Sequence, residues 1–127
     1  MNKVILITGA SGGIGAAVAL QAGKQGYKVG LQYNTNESGA TVIKDQLHAS
    51  GVSACIIKAN LSKEEEIIHL FETIDTQYGR LDVLINNAGI TLPQMKLIQM
   101  SVNRIKEHFE INTVSMMLCC KEAIKRM

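Results

Sequence analysis

Cysteine is scarce in this chain: Cys55, Cys119 and Cys120 are the three present in 127 residues. An odd number without C-x-x-C spacing excludes a disulfide framework and a cysteine zinc site, so free thiols in a reducing compartment are expected. Long apolar runs are missing too. The longest near the start is Val4 to Ile7, too short for a secretory h-region or a membrane span, and the sequence reads as cytoplasmic. An excess of either charge is also lacking: 13 Lys plus Arg stand against 11 Asp plus Glu, interspersed, for a formal net charge of +2. No electrostatic footprint for nucleic acid or an anionic membrane results, and neither is expected as a partner. His48, His69 and His108 are far apart with no i, i+4 pairing, so no metal site is expected.

What is present suits one packed domain. The chain is 46% hydrophobic and 19% charged, and a chain of this size buries roughly two-thirds of its unfolded surface. Disorder is excluded as the main state. With no Trp and one Pro, the 11 glycines carry the information, because four of them fall between positions 9 and 15.

Short β-like runs alternate with longer helical ones, without repeats, low-complexity tracts or a long linker. Lys3 to Thr8 is a nearly continuous apolar run, suited to a strand buried on both faces of a parallel sheet. A helix is predicted from about Gly13 to Gln25, with Ile14, Ala17, Val18 and Ala22 near one face and Gly26 as its stop. Lys28 to Tyr33 reads as a second strand, followed by a helix from about Asn36 to Ser50 carrying Ala40, Ile43 and Leu47, with Gly51 ending it. Val52 to Ala59 is a third strand. Ser62 and Glu65 have capping-box spacing before a helix with Ile67, Leu70, Phe71 and Ile74, in which Glu64, Glu65 and Glu66 favour the positive N-terminus and Gly79 closes the end. Leu81 to Ile85 is a fourth strand. A loop with Pro93 leads to Ser101, an expected N-cap, and a mostly helical tail to Met127 that carries Ile111, Val114, Met117, Leu118 and Ile124. Adjacent Cys119 and Cys120 point to different faces and pack rather than react. Met95, Met100, Met116 and Met117 read as core or interface, with an acyl-chain path as the alternative.

This pattern argues for an α/β protein with a doubly wound parallel sheet and right-handed crossovers. Four strands in the Rossmann-type order 3-2-1-4 would place a ligand crevice above the carboxyl ends of strands 1 and 4, where the order reverses.

At that point the chain reads Thr8-Gly9-Ala10-Ser11-Gly12-Gly13-Ile14-Gly15. Glycines let backbone approach an anion, and a helix starting here aims free N–H groups and its positive dipole end at it, which suits a pyrophosphate. The Thr8 and Ser11 hydroxyls can bond the ligand or the turn itself. The competing reading is a tight turn rich in glycine for packing alone. A P-loop is excluded, since no Lys-Ser or Lys-Thr pair follows the last glycine. The spacing is T-G-x-x-x-G-x-G, and Asn86-Asn87-Ala88-Gly89 follows the fourth strand.

Those two motifs, with Leu81 to Ile85 running into Asn86 to Thr91 and Phe109-Glu110-Ile111-Asn112 further on, resemble the short-chain dehydrogenase/reductase family across essentially the whole chain. The likeness is greatest to its 3-oxoacyl-acyl-carrier-protein reductase branch. The resemblance implies a nicotinamide cofactor and a carbonyl substrate, carried on acyl-carrier protein in that branch, and a place in fatty acid biosynthesis. Cofactor contacts are expected from Thr8, Gly9, Ala10, Ser11, Gly12, Gly13, Ile14 and Gly15, from Asn34, from Asn60 and Leu61 beside the adenine, and from Asn87, Ala88 and Gly89. The plain alternatives are a loop role for Asn60 and a turn that stitches strands for the asparagine pair.

An NAD-preferring site usually carries Asp or Glu at the end of the second strand. Gln32-Tyr33-Asn34-Thr35-Asn36 is neutral there, with donors at Asn34 and Thr35, which favours NADP over NAD. Gly12 stands where many NADP-binding relatives carry a basic residue, which weighs the other way.

Family reductases protonate the carbonyl from a Tyr tuned by a Lys four residues on, with a Ser and an Asn in support. Tyr27, Tyr33 and Tyr78 are followed at that distance by Leu31, Glu37 and Asp82. By the resemblance only Asn112 matches the catalytic set, its plain alternative being an ordinary helix residue. The expectation is one NAD(P)-binding Rossmann domain over residues 1–127, incomplete with about four strands and ending before the Ser and Tyr-x-x-x-Lys segment. NADPH would be its partner, with a homo-oligomer possible through the C-terminal helices. The rival readings are a nucleotide-binding or self-associating module without turnover and a fragment that folds poorly.

Overall fold

A computed structural model describes residues 2–89 and 94–127. Four parallel strands form one sheet in the order β3-β2-β1-β4, from β1 (Val4–Ile7), β2 (Lys28–Tyr33), β3 (Ala54–Lys58) and β4 (Val83–Ile85). The intervening helices are α1 (Gly13–Lys24), α2 (Glu37–Ala49) and α3 (Glu64–Tyr78). In register, Ile5 lies between Val29 and Val83, Leu6 between Gly30 and Leu84, and Ile7 between Leu31 and Ile85. Successive side chains of β1 therefore feed opposite faces. Val4 and Leu6 pack with Ile57, with Leu70, Phe71 and Ile74 of α3, and with Cys119 and Ala123 further along the chain. Ile5 and Ile7 pack with Val29 and Leu31 under Ala16 and Ala19 of α1 and Ile43 and Leu47 of α2. Two cores on two faces explain why β1 is apolar at every position.

Asp82, the polar exception in its strand segment, sets β4 against β1. Its carboxylate accepts from the Val4 N–H at 2.8 Å and pairs with Arg80, while its own N–H donates to the Val4 carbonyl at 3.0 Å. The Arg80 guanidinium and the Val4 N–H hold the Asp82 carboxyl below its ordinary range.

Two local expectations are corrected. In α1 the buried stripe is Gly15, Ala16, Ala19, Ala22 and Gly23, while Ile14 is 76% exposed and Ala17 is also exposed. Small residues win the inner face because the helix lies close on its neighbours: a Cβ at Gly23 would sit 2.5 Å from Leu47 Cδ2. The Ser62/Glu65 capping box does not form. Lys63 is the N-cap of α3, without a side-chain cap bond, and Asn60 Oδ1 instead accepts from the Ser62 N–H and hydroxyl at 3.0 and 2.7 Å. Glu66 reaches back to the Asn60 N–H at 3.0 Å, so the reciprocal bond is made one residue later. The C-terminal tail is mostly helical, as the sequence predicts. After a 3₁₀ turn at Leu97–Gln99, α4 (Val102–Phe109) passes through a π turn at Glu110–Val114 into α5 (Ser115–Ile124). Its buried residues are Ser115, Cys119, Glu122 and Ala123, whereas Val114, Met117 and Ile124 face outward. Ser101 does cap α4, accepting from the Arg104 N–H at 3.2 Å. The loop at Pro93, with Ile90 and Thr91 of the second motif, lies outside the described residues.

Candidate functional site

The strand order reverses between β1 and β4, and the segments leaving those two strands are bonded to each other. Thr8, 1% exposed, directs its hydroxyl sideways: Oγ1 accepts from the Asn87 and Ala88 N–H groups at 3.0 and 2.9 Å. In return Asn87 Nδ2 donates to the carbonyls of Thr8 and Gly9 at 3.1 and 3.0 Å. Thr8 and Asn87 thus form the base of the crevice, on the stitching side of the alternatives that the sequence leaves open for each.

The glycine loop divides into two parts. Gly9 has φ +63° and a Cβ there would lie 2.9 Å from Ala88 Cα, while a Cβ at Gly15 would meet the Gly9 carbonyl and, at 2.5 Å, Asn87 Nδ2. Packing alone accounts for these two. Gly12 and Gly13 have no neighbour within 4 Å of a built Cβ and stand exposed at the start of α1. That helix begins without a side-chain cap and without an acid in its first turn. Its first-turn donors and positive dipole end are left for an anion.

Beside this loop is a cleft of about 210 Å³ at the carboxyl ends of the strands. Of the residues singled out from the sequence, the fold brings Gly9, Ser11, Asn34, Asn60, Leu61, Ala88 and Gly89 together as its lining. Gly12, Gly13, Ile14 and Gly15 follow along the loop into α1 but do not line it, and Ala10, Thr8 and Asn87 lie beneath. Gln32, Tyr33, Thr35, Asn36, Ser62 and Ile111 complete the wall, and no Asp or Glu is among the lining residues. Pockets that enclose a whole small molecule run to roughly 300–1,000 Å³, so this cleft is smaller than a site that encloses a whole ligand and opens beside the exposed glycines of the loop.

Two wall residues owe their place to bonds that sequence patterning does not single out. Asn36 caps α2, accepting from the Gly39 N–H at 3.0 Å, and donates to the Ser11 carbonyl at 3.4 Å. Gln32 is buried, and its amide reaches both the Gly9 N–H and the Ala59 carbonyl at 2.7 Å. The available signal was a lone amide in an otherwise apolar strand stretch, since buried polar groups are almost always bonded.

Asn112 sits inside the π turn, a local form often found at functional sites. Its Oδ1 comes within 3.2 Å of where a Gly89 Cβ would be, and its Nδ2 donates to His108 Nδ1 at 3.0 Å. The asparagine of the tail thereby reaches the end of the Asn86 to Gly89 motif.

The tyrosines are dispersed. Tyr33 is at the cleft, and burial followed by the charge of Glu37 raises its phenol pKa. Tyr78 lies at the C-terminal end of α3, raised by burial and then by Cys55, with Lys28 over its ring at 5.9 Å. Neither phenol is tuned downward. Among the described residues no group of three His, Cys, Asp or Glu is placed to hold a metal ion, and no helix is long and apolar enough to cross a membrane.

Comparison with known proteins agrees with this geometry. The family model for short chain dehydrogenase matches residues 3–127. The uncharacterized oxidoreductase YgfF of Escherichia coli is 35% identical over 124 residues, 98% of this chain and 50% of that protein. The 3-oxoacyl-[acyl-carrier-protein] reductase FabG of Staphylococcus epidermidis is 34% identical over 127 residues, all of this chain and 52% of that protein. Among solved structures, a double mutant of a Serratia marcescens short-chain dehydrogenase/reductase superposes with TM-score 0.94 at 25% identity, covering 98% of this chain and 51% of that one. The chain spans about half the length of the curated relatives it matches. From its motifs, its strand order and these matches, the chain belongs to the short-chain dehydrogenase/reductase family, an oxidoreductase family.

Proposed function

We propose that the crevice takes NADP(H) and that the protein acts as an NADPH-dependent carbonyl reductase of the 3-oxoacyl-acyl-carrier-protein kind. The observation that carries the cofactor choice is the end of β2. Asn34 and Thr35 stand exposed at the cleft, and none of the lining residues is a carboxylate that would accept from a ribose 2′-OH and repel a 2′-phosphate. Glu37, whose charge acts on Tyr33, is in the first turn of α2 and outside the lining.

In this reading the N-terminus of α1 at Gly12 to Gly15 binds the pyrophosphate, Asn60 and Leu61 border the adenine, and Ala88 and Gly89 continue the wall. Bound here, the cofactor supplies a hydride to the carbonyl carbon. Asn112, beside Gly89, faces the reacting end and supports the proton path. The proton itself comes from a Tyr next to a Lys, and no tyrosine of these 127 residues has a lysine four positions on, so that pair is contributed from outside them. A soluble cytoplasmic protein with a substrate carried on acyl-carrier protein fits the FabG likeness.

Calorimetric titration of the purified chain with NADPH and NADH tests the cofactor claim. Tighter binding of NADPH is expected, and tighter NADH binding overturns the charge argument.

A second reading, a nucleotide-binding module that self-associates without turnover, draws on one feature. Val102, Phe109, Met116 and Met117 are strongly exposed for apolar side chains on α4 and α5. Assay of the chain with NADPH and a 3-oxoacyl thioester tests what the two readings share: absence of turnover is expected for the chain alone, and clear turnover would overturn both the second reading and the requirement for an external Tyr and Lys.

A further inference from the structure

The glycine loop and the β3 end are separate segments on either side of β2, and one side chain joins them. Gln32 lies next to the last residue of β2 and is 2% exposed. Its Oε1 accepts from the Gly9 N–H at 2.7 Å and its Nε2 donates to the Ala59 carbonyl at 2.7 Å. Its backbone carbonyl also accepts from the Ala10 N–H at 2.9 Å, and the next residue, Tyr33, accepts from the Ala59 N–H at 3.0 Å. Gly9 begins the loop that presents α1, and Ala59 immediately precedes Asn60 and Leu61. Among the described residues no other side chain hydrogen-bonds both segments.

We infer that Gln32 is a positioning residue that sets the spacing between the phosphate-facing loop and the adenosine-facing wall, so that one dinucleotide engages both at once. The inference rests on the NADP(H) reading of the cleft. A ligand that fills both subsites needs them at a fixed separation before it arrives, and ordering them on binding subtracts from its affinity. A ligand that fills one subsite is indifferent to that separation. Only an amide of this length meets both requirements: one end is an acceptor facing an N–H, the other a donor facing a carbonyl. Leucine has the bulk but neither bond. Methionine keeps the length and the neutrality and makes neither bond.

The test compares NADPH with 2′-AMP, which occupies the adenosine side alone, in calorimetric titrations of the wild-type chain, Gln32→Leu and Gln32→Met. Far-UV circular dichroism establishes that each variant is folded. Weakening of NADPH by about tenfold or more in Gln32→Leu, with 2′-AMP held within about twofold, is the expected result. Gln32→Met should show the same split, and it serves as the measurement if the leucine variant does not fold. A merely structural role would lower both ligands by one factor or leave both unchanged in the folded protein, and either result overturns the inference while the NADP(H) reading stands. A wild-type chain that binds neither NADPH nor NADH overturns that reading and this inference together.

Discussion

Replacing Thr8 by Val tests the joint between β1 and β4 with almost no change of shape. Thr8 is 1% exposed and its Oγ1 accepts from two N–H groups, those of Asn87 and Ala88. Valine places a methyl where the hydroxyl was, so no cavity opens and the loss is polar. The Asn87 N–H retains a second acceptor, the Ile85 carbonyl at 3.1 Å, and its loss is partial. For the Ala88 N–H, Thr8 Oγ1 is the acceptor among the described residues. A buried donor deprived of its partner costs about 1–3 kcal/mol, and with the fractional term from Asn87 the variant should lose about 2–3 kcal/mol. Thr8→Ser keeps the hydroxyl and loses one methyl, which costs about 1 kcal/mol. Urea unfolding followed by far-UV circular dichroism measures both, tryptophan being absent. A Thr8→Val variant within about 0.5 kcal/mol of wild type, or one more stable than Thr8→Ser, would refute the view that this hydroxyl ties the two strand ends together.

Gly15→Ala is expected to abolish NADPH binding and to lower the unfolding midpoint, because its Cβ would collide with the Gly9 carbonyl and Asn87 Nδ2; Gly12→Ala, which faces open space, should leave the midpoint nearly unchanged, and a calorimetric and thermal-melt comparison checks both. Asp82→Asn should destabilise the chain at neutral pH. The folded Asp82 carboxyl is held below its ordinary value of 3.8 by Arg80 and by the Val4 N–H. Its contribution is therefore present above about pH 4 and is lost as pH falls through the folded pKa. Denaturation curves at pH 7 and pH 3 should show the gap between the two proteins closing in acid, and a gap that widens would contradict the assignment.

The features legible from sequence are those with strong contrast. Apolar runs bounded by glycine marked β1 to β4, and the reversal of order after β3 followed from alternation together with the glycine loop. Helix α3 is legible because Ile67, Leu70, Phe71 and Ile74 stand out from a charged background. In α1 that contrast is missing: nearly every residue is Gly, Ala or a medium aliphatic, so periodicity does not fix the phase, and close packing selects the small residues. The start of α3 is ambiguous in sequence because two overlapping solutions exist, and Asn60 competes for Ser62 before it can cap. A π turn has no residue signature, so the position of Asn112 beside Gly89 came from tertiary structure. The residues of the cleft were found through motifs, whereas Gln32 and Asn36 act through hydrogen bonds between segments far apart in sequence.

The central claim is that the segments leaving β1, β2, β3 and β4 form one dinucleotide site. Titration of the isotope-labelled chain with NADPH, followed amide by amide by NMR, tests it most directly. The account predicts saturable shifts concentrated at Ser11 to Gly15, Asn34, Asn60 and Gly89, with those of Gly12 and Gly13 among the largest. Saturable binding whose shifts fall elsewhere, or no shift at these amides at millimolar NADPH, would contradict it.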